Sequence, residues 1–124
     1  MQETSFEMDS LGVAAVGAGA SHTIVAAGDA LYVWGDNSHG QLGCGQSGQF
    51  NGEARMFLDK PTRLRWQDTA VSVTQIACGK YHTMVVTSQS SLYTWGDNSR
   101  GQLGHGDDRQ KTLPSKVDNF WGSQ

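Results

Sequence analysis

Apolar residues in this chain recur in short runs of alternating character, without helical spacing beyond a single turn. Thr23-Ile24-Val25-Ala26-Ala27 and Thr83-Met84-Val85-Val86-Thr87 read as strands, and Leu31-Tyr32-Val33-Trp34 and Leu92-Tyr93-Thr94-Trp95 read as their partners. Alternation along a strand places Tyr32 and Trp34 on one face and Leu31 and Val33 on the other. Both faces are apolar, so the hairpin is expected to be covered on both sides. Gly28-Asp29 between the first pair suits a two-residue type II′ turn. A further strand is expected over Val71–Ala77, leading into Cys78-Gly79.

The pattern occurs twice. Gly19, His22 and Thr23 return as Gly79, His82 and Thr83 at an offset of 60, and Trp34-Gly35-Asp36-Asn37-Ser38 returns as Trp95-Gly96-Asp97-Asn98-Ser99 at an offset of 61. Gly40-Gln41-Leu42-Gly43 repeats as Gly101-Gln102-Leu103-Gly104. One residue is therefore inserted between Gly28-Asp29 and its counterpart Ser88-Gln89-Ser90-Ser91, which places a turn there. Pro61-Thr62-Arg63-Leu64 is echoed by Pro114-Ser115-Lys116-Val117, but the linker before Pro61 is eight residues longer. Without that excess the period is about 50 residues, in the range of propeller-type repeats. The chain divides into a lead-in (1–12), a first repeat (13–65) with an extended loop at 46–60, a second repeat (66–121) and a short tail (122–124). Strands, glycine-rich turns and a fixed period indicate stacked small sheets.

Composition adds little to this and removes several alternatives. Sixteen of the 124 residues are glycine, about double the usual share. A chain of this length forms one modest core and no large closed architecture alone. Met1 to Ala54 holds six acids and no Lys or Arg, whereas the remainder holds nine basic residues against six acids. Such opposite halves can steer a partner. No basic cluster marks a nucleic-acid surface. Cys44 and Cys78 form no framework and fit a reducing compartment. The acidic, polar N-terminus lacks the apolar core of a secretory signal, and no apolar run is long enough to span a bilayer. A soluble cytoplasmic or nuclear protein is expected.

The paired strings Gly-x-x-His-Thr, Leu-Tyr-x-Trp-Gly-Asp-Asn-Ser and Gly-Gln-Leu-Gly-x-Gly resemble repeats of the regulator of chromosome condensation family over residues 13–121. The resemblance implies an all-β fold: four-stranded blades of a seven-bladed β-propeller, here partial and open. Seven units need about 350 residues. The chain is therefore expected to be a fragment or truncated isoform of a longer protein, or to self-associate through open blade edges. Family members act as interaction platforms. The founding member is a guanine nucleotide exchange factor for the GTPase Ran and binds chromatin.

Duplication argues against catalysis, because a reactive centre needs one constellation and these motifs come in pairs. Gly19, His22, Trp34, Gly35, Gly40 and Gly43, with Gly79, His82, Trp95, Gly96, Gly101 and Gly104, are read as structural. The glycines permit positive φ or close approach, the tryptophans supply buried area, and Asp36-Asn37 and Asp97-Asn98 bond their own turns. Cys78 and His82 lie four apart, and Cys44 corresponds to His105. No Cys-x-x-Cys pair accompanies them, so no metal site is expected. Neither Gly-rich string carries the lysine and helix of a phosphate loop, so neither a cofactor nor a small-molecule substrate is expected.

Function is expected where the repeats differ. Ala20-Ser21 becomes Lys80-Tyr81, and His39 becomes Arg100. The extended loop brings Phe50, Met56 and Phe57. Lys80, Tyr81, Arg100, His39, Phe50 and Phe57 are the candidate partner-binding residues, of types suited to interface anchors. The reading is a non-catalytic protein-interaction scaffold, with a protein partner and no membrane. The alternative is an exchange factor, or part of one, for a Ran-like small GTPase. Chromatin association is a third reading, permitted by the basic C-terminal half but unsupported by any histone- or DNA-binding tail.

Overall fold

The strand-like runs pair as their alternation requires. The computed structural model describes residues 12–45, 49–50, 53–54, 57–64 and 72–118, and all its regular elements are strands. They are β1 (Val13–Ala18), β2 (His22–Ala27), β3 (Ala30–Asp36), β4 (Gln49–Phe50), β5 (Glu53–Ala54), β6 (Phe57–Leu64), β7 (Val73–Cys78), β8 (His82–Thr87), β9 (Leu92–Gly96) and β10 (Lys111–Lys116). Two four-stranded sheets result, ordered β1-β2-β3-β6 and β7-β8-β9-β10, with all neighbours antiparallel. They have the form of the expected blades, in an open, partial array. Val71 and Met56 lie outside the described residues, as do the lead-in through residue 11 and the tail.

Registers repeat with the sequence. Thr23 pairs with Trp34 and Val25 with Tyr32 in the first sheet; Thr83 pairs with Trp95 and Val85 with Tyr93 in the second. Even the irregularity in the first strand recurs, between Val13 and Ala15 and between Val73 and Gln75. Gly28 opens the first hairpin turn at φ 61° and Asp29 has no positive φ, as a type II′ turn needs. In the longer second turn Ser90 takes the left-handed conformation at φ 64°. There Thr87 Oγ1 accepts hydrogen bonds from the backbone N–H groups of Gln89 and Ser91.

Within the stretch read as the 46–60 loop, Gln49–Phe50 and Glu53–Ala54 pair as the two-stranded β4-β5 ribbon, and Phe57–Lys60 begins β6. The fourth strands, β6 and β10, contain Pro61 and Pro114. Both lie at sheet edges, where the missing N–H costs no ladder bond.

The two sheets pack face to face. Ile24, Ala26, Leu31 and Val33 of the first meet Val73, Val85, Tyr93 and Trp95 of the second in one buried cluster that includes Leu42 and Leu64. Burying these side chains is the main favourable term. Tyr32 is buried on the opposite face of β3, with Ala27 and Ala30, so the first hairpin is covered on both sides. Along the inner edge β1 lies against β7. A Cβ on Gly17 would stand 2.4 Å from Ile76 Cγ2, so glycine sets how closely these strands approach.

Candidate functional site: loops shared by two blades

The loop after each Trp-Gly pair is held by its own side chains. Asp36 Oδ1 accepts from the Ser38 N–H at 3.1 Å, while Oδ2 accepts from Ser38 Oγ at 2.8 Å and Gln41 Nε2 at 2.9 Å. Gln41 Oε1 in turn accepts the His39 N–H at 2.7 Å, and Asn37 Oδ1 the Leu42 N–H at 3.2 Å. Asp97, Asn98, Ser99 and Gln102 repeat this set around Arg100 and Leu103. Partial burial works to raise the Asp36 carboxyl, but the Ser38 and Gln41 bonds, with His39 nearby, outweigh it and hold Asp36 below its ordinary value. Asp97 is depressed in the same way through Ser99 and Gln102, again with His39 contributing.

Gly35, Gly40, Gly43, Gly96, Gly101 and Gly104 all take positive φ. At Gly43 a second requirement applies: a Cβ would lie 2.7 Å from Trp95 Nε1. Gly19 and Gly79 are not left-handed; a Cβ on either would strike the ring of its own repeat's histidine.

The first loop reaches across to the second sheet. The Gln41 carbonyl accepts both the Trp95 indole N–H and the Thr83 hydroxyl, each at 2.9 Å. Since Thr83 spends its proton on Gln41, its oxygen accepts from His22 Nε2, also 2.9 Å away. His22 is buried, and its Nδ1 has no partner. Burial pushes its pKa down to about 4, with Asp36 opposing and His82 adding to the fall. This ring is a structural strut between blades. Trp95 is completely buried while Trp34, its repeat counterpart, is half-buried. The outer face carrying Trp34 has no second sheet against it among the described residues.

Three candidate contact residues converge at this seam. The rings of His39 and Tyr81 stack with centroids 4.1 Å apart and planes 14° apart. Lys80 Nζ stands 5.2 Å from the centre of the Tyr81 ring, within range of a cation–π attraction. Arg100, the counterpart of His39, is exposed on the second loop and joins no such stack among the described residues. Phe57 is 63% exposed and pairs with Asp36 through the backbone. The backbone of Phe50 lies in β4; its side chain is outside the described residues. Sequence reasoning singled out His39 and Tyr81 separately and missed both their stacking and the central place of Gln41.

Cys78 and His82 lie at the two ends of the β7–β8 turn. Burial raises the Cys78 thiol to about 11 and also lifts Cys44. His105 Nε2 lies 2.9 Å from Thr94 Oγ1. Among the described residues no three His, Cys, Asp or Glu side chains gather into a metal-ligating group, and no helix is long and apolar enough to cross a membrane.

The repeat model described as "Regulator of chromosome condensation (RCC1) repeat" matches residues 29–86 and 89–123, and a second model of the same description matches 13–41 and 73–102. The chain belongs to the regulator of chromosome condensation family. It is 32% identical over 117 residues to the ultraviolet-B receptor UVR8 of Arabidopsis thaliana, a match covering 93% of this chain and 24% of the receptor. It is 36% identical over 104 residues to human E3 ubiquitin-protein ligase HERC2, covering 83% of this chain and 2% of the ligase. Two solved structures superpose on it. Prp20p from Saccharomyces cerevisiae, described with its binding properties to Gsp1p and histones, gives a TM-score of 0.67 at 27% identity. Human WBSCR16 gives 0.69 at 28%. Each match covers 84% of this chain and about a quarter of the solved one, 26% and 25%.

Proposed function

We propose that this chain is a non-catalytic protein-interaction module whose stacked blades present variable end-loops to a protein partner. The His39–Tyr81 stack carries the reading. It joins two residues of types that differ between the repeats, across a seam whose framework residues are the same in both. Such a stack holds the aromatic surface in place before contact, which lowers the ordering cost of binding. Lys80 stands beside it as an exposed cation, and Arg100 is exposed on the second blade's loop, so the surface suits a partner offering carboxylates or backbone carbonyls. A cytoplasmic or nuclear setting fits two cysteines, Cys44 and Cys78, that form no disulfide.

The test is capture from cell extract with the partner identified by mass spectrometry and rebound in purified form. Tyr81→Ala and Lys80→Ala should each weaken rebinding at least tenfold, while Lys116→Ala, on β10, should not. Equal retention by all three variants rejects the loop surface.

A second reading, guanine nucleotide exchange on a Ran-like GTPase, draws support from the likeness to Prp20p, described as binding Gsp1p and histones. The chain spans about a quarter of that protein, and exchange in the family uses a surface spread over several blades, so this reading ranks second. Accelerated release of labelled GDP from a Ran-type GTPase by the purified chain would promote it. Salt-sensitive binding to nucleosomes would instead favour chromatin association.

A further inference from the structure

The loop of the first blade fixes which nitrogen of His39 carries the proton. Partial burial opposes charge on Asp36, but the Ser38 and Gln41 bonds hold it as a carboxylate at neutral pH, and a carboxylate only accepts. Ser38 Oγ, 2.8 Å from Asp36 Oδ2, therefore gives it the one hydroxyl proton. The same Oγ lies 3.0 Å from His39 Nδ1. With its proton spent, it accepts there, so Nδ1 carries the hydrogen and Nε2 of the neutral ring holds a lone pair. That Nε2 has no hydrogen-bond partner among the described residues. His22 Nδ1 is the one buried side-chain polar atom without a partner among them, so His39 Nε2 is open to solvent. The ring is anchored twice, by Ser38 at its edge and by Tyr81 on its face.

The second blade has the opposite polarity at this place. Asp97 and Ser99 repeat the turn, but Arg100 stands where His39 does, and a guanidinium only donates. His105 gives a further contrast. Thr94 Oγ1 donates to the Leu103 carbonyl and lies 2.9 Å from His105 Nε2, so in that ring Nε2 carries the hydrogen. His39 and His105 are therefore held as opposite tautomers. Beside His39 the nearest cation is Lys80, whose Nζ stands 5.2 Å from the centre of the Tyr81 ring on which His39 stacks. An acceptor and a donor thus flank one aromatic ring.

We infer that Ser38 is a positioning residue that makes His39 a fixed hydrogen-bond acceptor on the contact surface, and that the segment docking there is an extended peptide whose main-chain N–H reaches His39 Nε2 while a nearby carbonyl meets Lys80. The inference rests on the loops being a protein-contact surface, as proposed above. Peptide groups supply the matching pair, one N–H and one C=O per residue, and extended segments are read in this way. A partner surface made only of carboxylates would set an acceptor against the His39 lone pair and leave both unsatisfied.

Long-range proton–nitrogen correlation spectra test the positioning without any partner. In mildly alkaline buffer, where histidine side chains are ordinarily neutral, the unmodified chain should show Nδ1–H for His39 and Nε2–H for His105. Ser38→Ala should let the His39 proton move to Nε2 and leave His105 unchanged. His39 found as Nε2–H in the unmodified chain, or unmoved in Ser38→Ala, overturns the inference. Recognition is probed with peptides selected on the unmodified chain from a random phage-displayed library. His39→Arg keeps a group that stacks on Tyr81 but only donates, and should weaken these peptides about tenfold, the worth of one hydrogen bond. His39→Gln, whose Oε1 accepts at about the same place, should keep most of the affinity. A scan of single backbone N-methyl groups through one peptide should find a position whose penalty disappears on His39→Arg. Peptides that bind His39→Arg undiminished yet fail on Tyr81→Ala overturn this inference and leave the contact surface standing. Peptides indifferent to both variants reject the surface and the inference with it.

Discussion

Trp95 of the second blade donates its indole N–H to the carbonyl of Gln41 in the first, at 2.9 Å, and is completely buried in doing so. The counterpart Trp34 is half-buried and has no such acceptor among the described residues. Two tryptophans at equivalent places in the two repeats therefore differ in energetic role. Trp95→Phe should lower unfolding free energy by about 2–4 kcal/mol, combining lost volume with a lost hydrogen bond. Trp34→Phe should cost less than half as much. Urea denaturation in dilute solution measures both.

Gly43 and Gly45 both take positive φ, 78° and 116°, but only Gly43 faces a neighbour. Gly45→Ala should cost the backbone strain alone, about 1–2 kcal/mol. Gly43→Ala adds a collision with the Trp95 ring, worth roughly a further 1–3 kcal/mol. Paired thermal melts resolve the difference, and red-shifted tryptophan emission should appear for Gly43→Ala only.

His22 sets an acid limit on stability. Its folded pKa lies near 4 against an ordinary 6.5, so the unfolded chain binds the proton more readily. Stability is full above pH 6.5 and falls as the pH drops from 6.5 towards 4, by about 3 kcal/mol at most. The depressed Asp36 and Asp97 carboxyls act in the same direction at lower pH, below their ordinary 3.8, leaving the window above pH 4 to His22. His22→Gln should flatten that window in denaturant titrations at stepped pH, with a lower plateau at neutrality.

Ser90 occupies the left-handed region at φ 64° on an exposed turn. Ser90→Gly removes the Cβ penalty there and adds unfolded-state entropy, for a net gain of about 0.5–1 kcal/mol. Asp29→Gly, in the shorter turn of the first repeat and without positive φ, should give no gain. Melting temperatures of the two variants decide the point.

Local chemistry made much of this protein readable from sequence. A two-residue alternation fixes which side chains share a face, so Tyr32 was separable from Leu31 without coordinates. Gly28-Asp29 names its turn because only certain residues accept that backbone, and the doubled Trp-Gly string declares two units because each turn is bonded within itself. The fourth strands escaped notice because Pro61 and Pro114 argue against strands until their edge positions are known. What tertiary structure alone decided is how the units meet. Trp95 finds Gln41 across 54 residues of chain and His22 finds Thr83 across 61; His39 and Tyr81 stack across the same seam. Contacts of that span leave no local signature, since their energy arises only when two finished sheets exclude water between them.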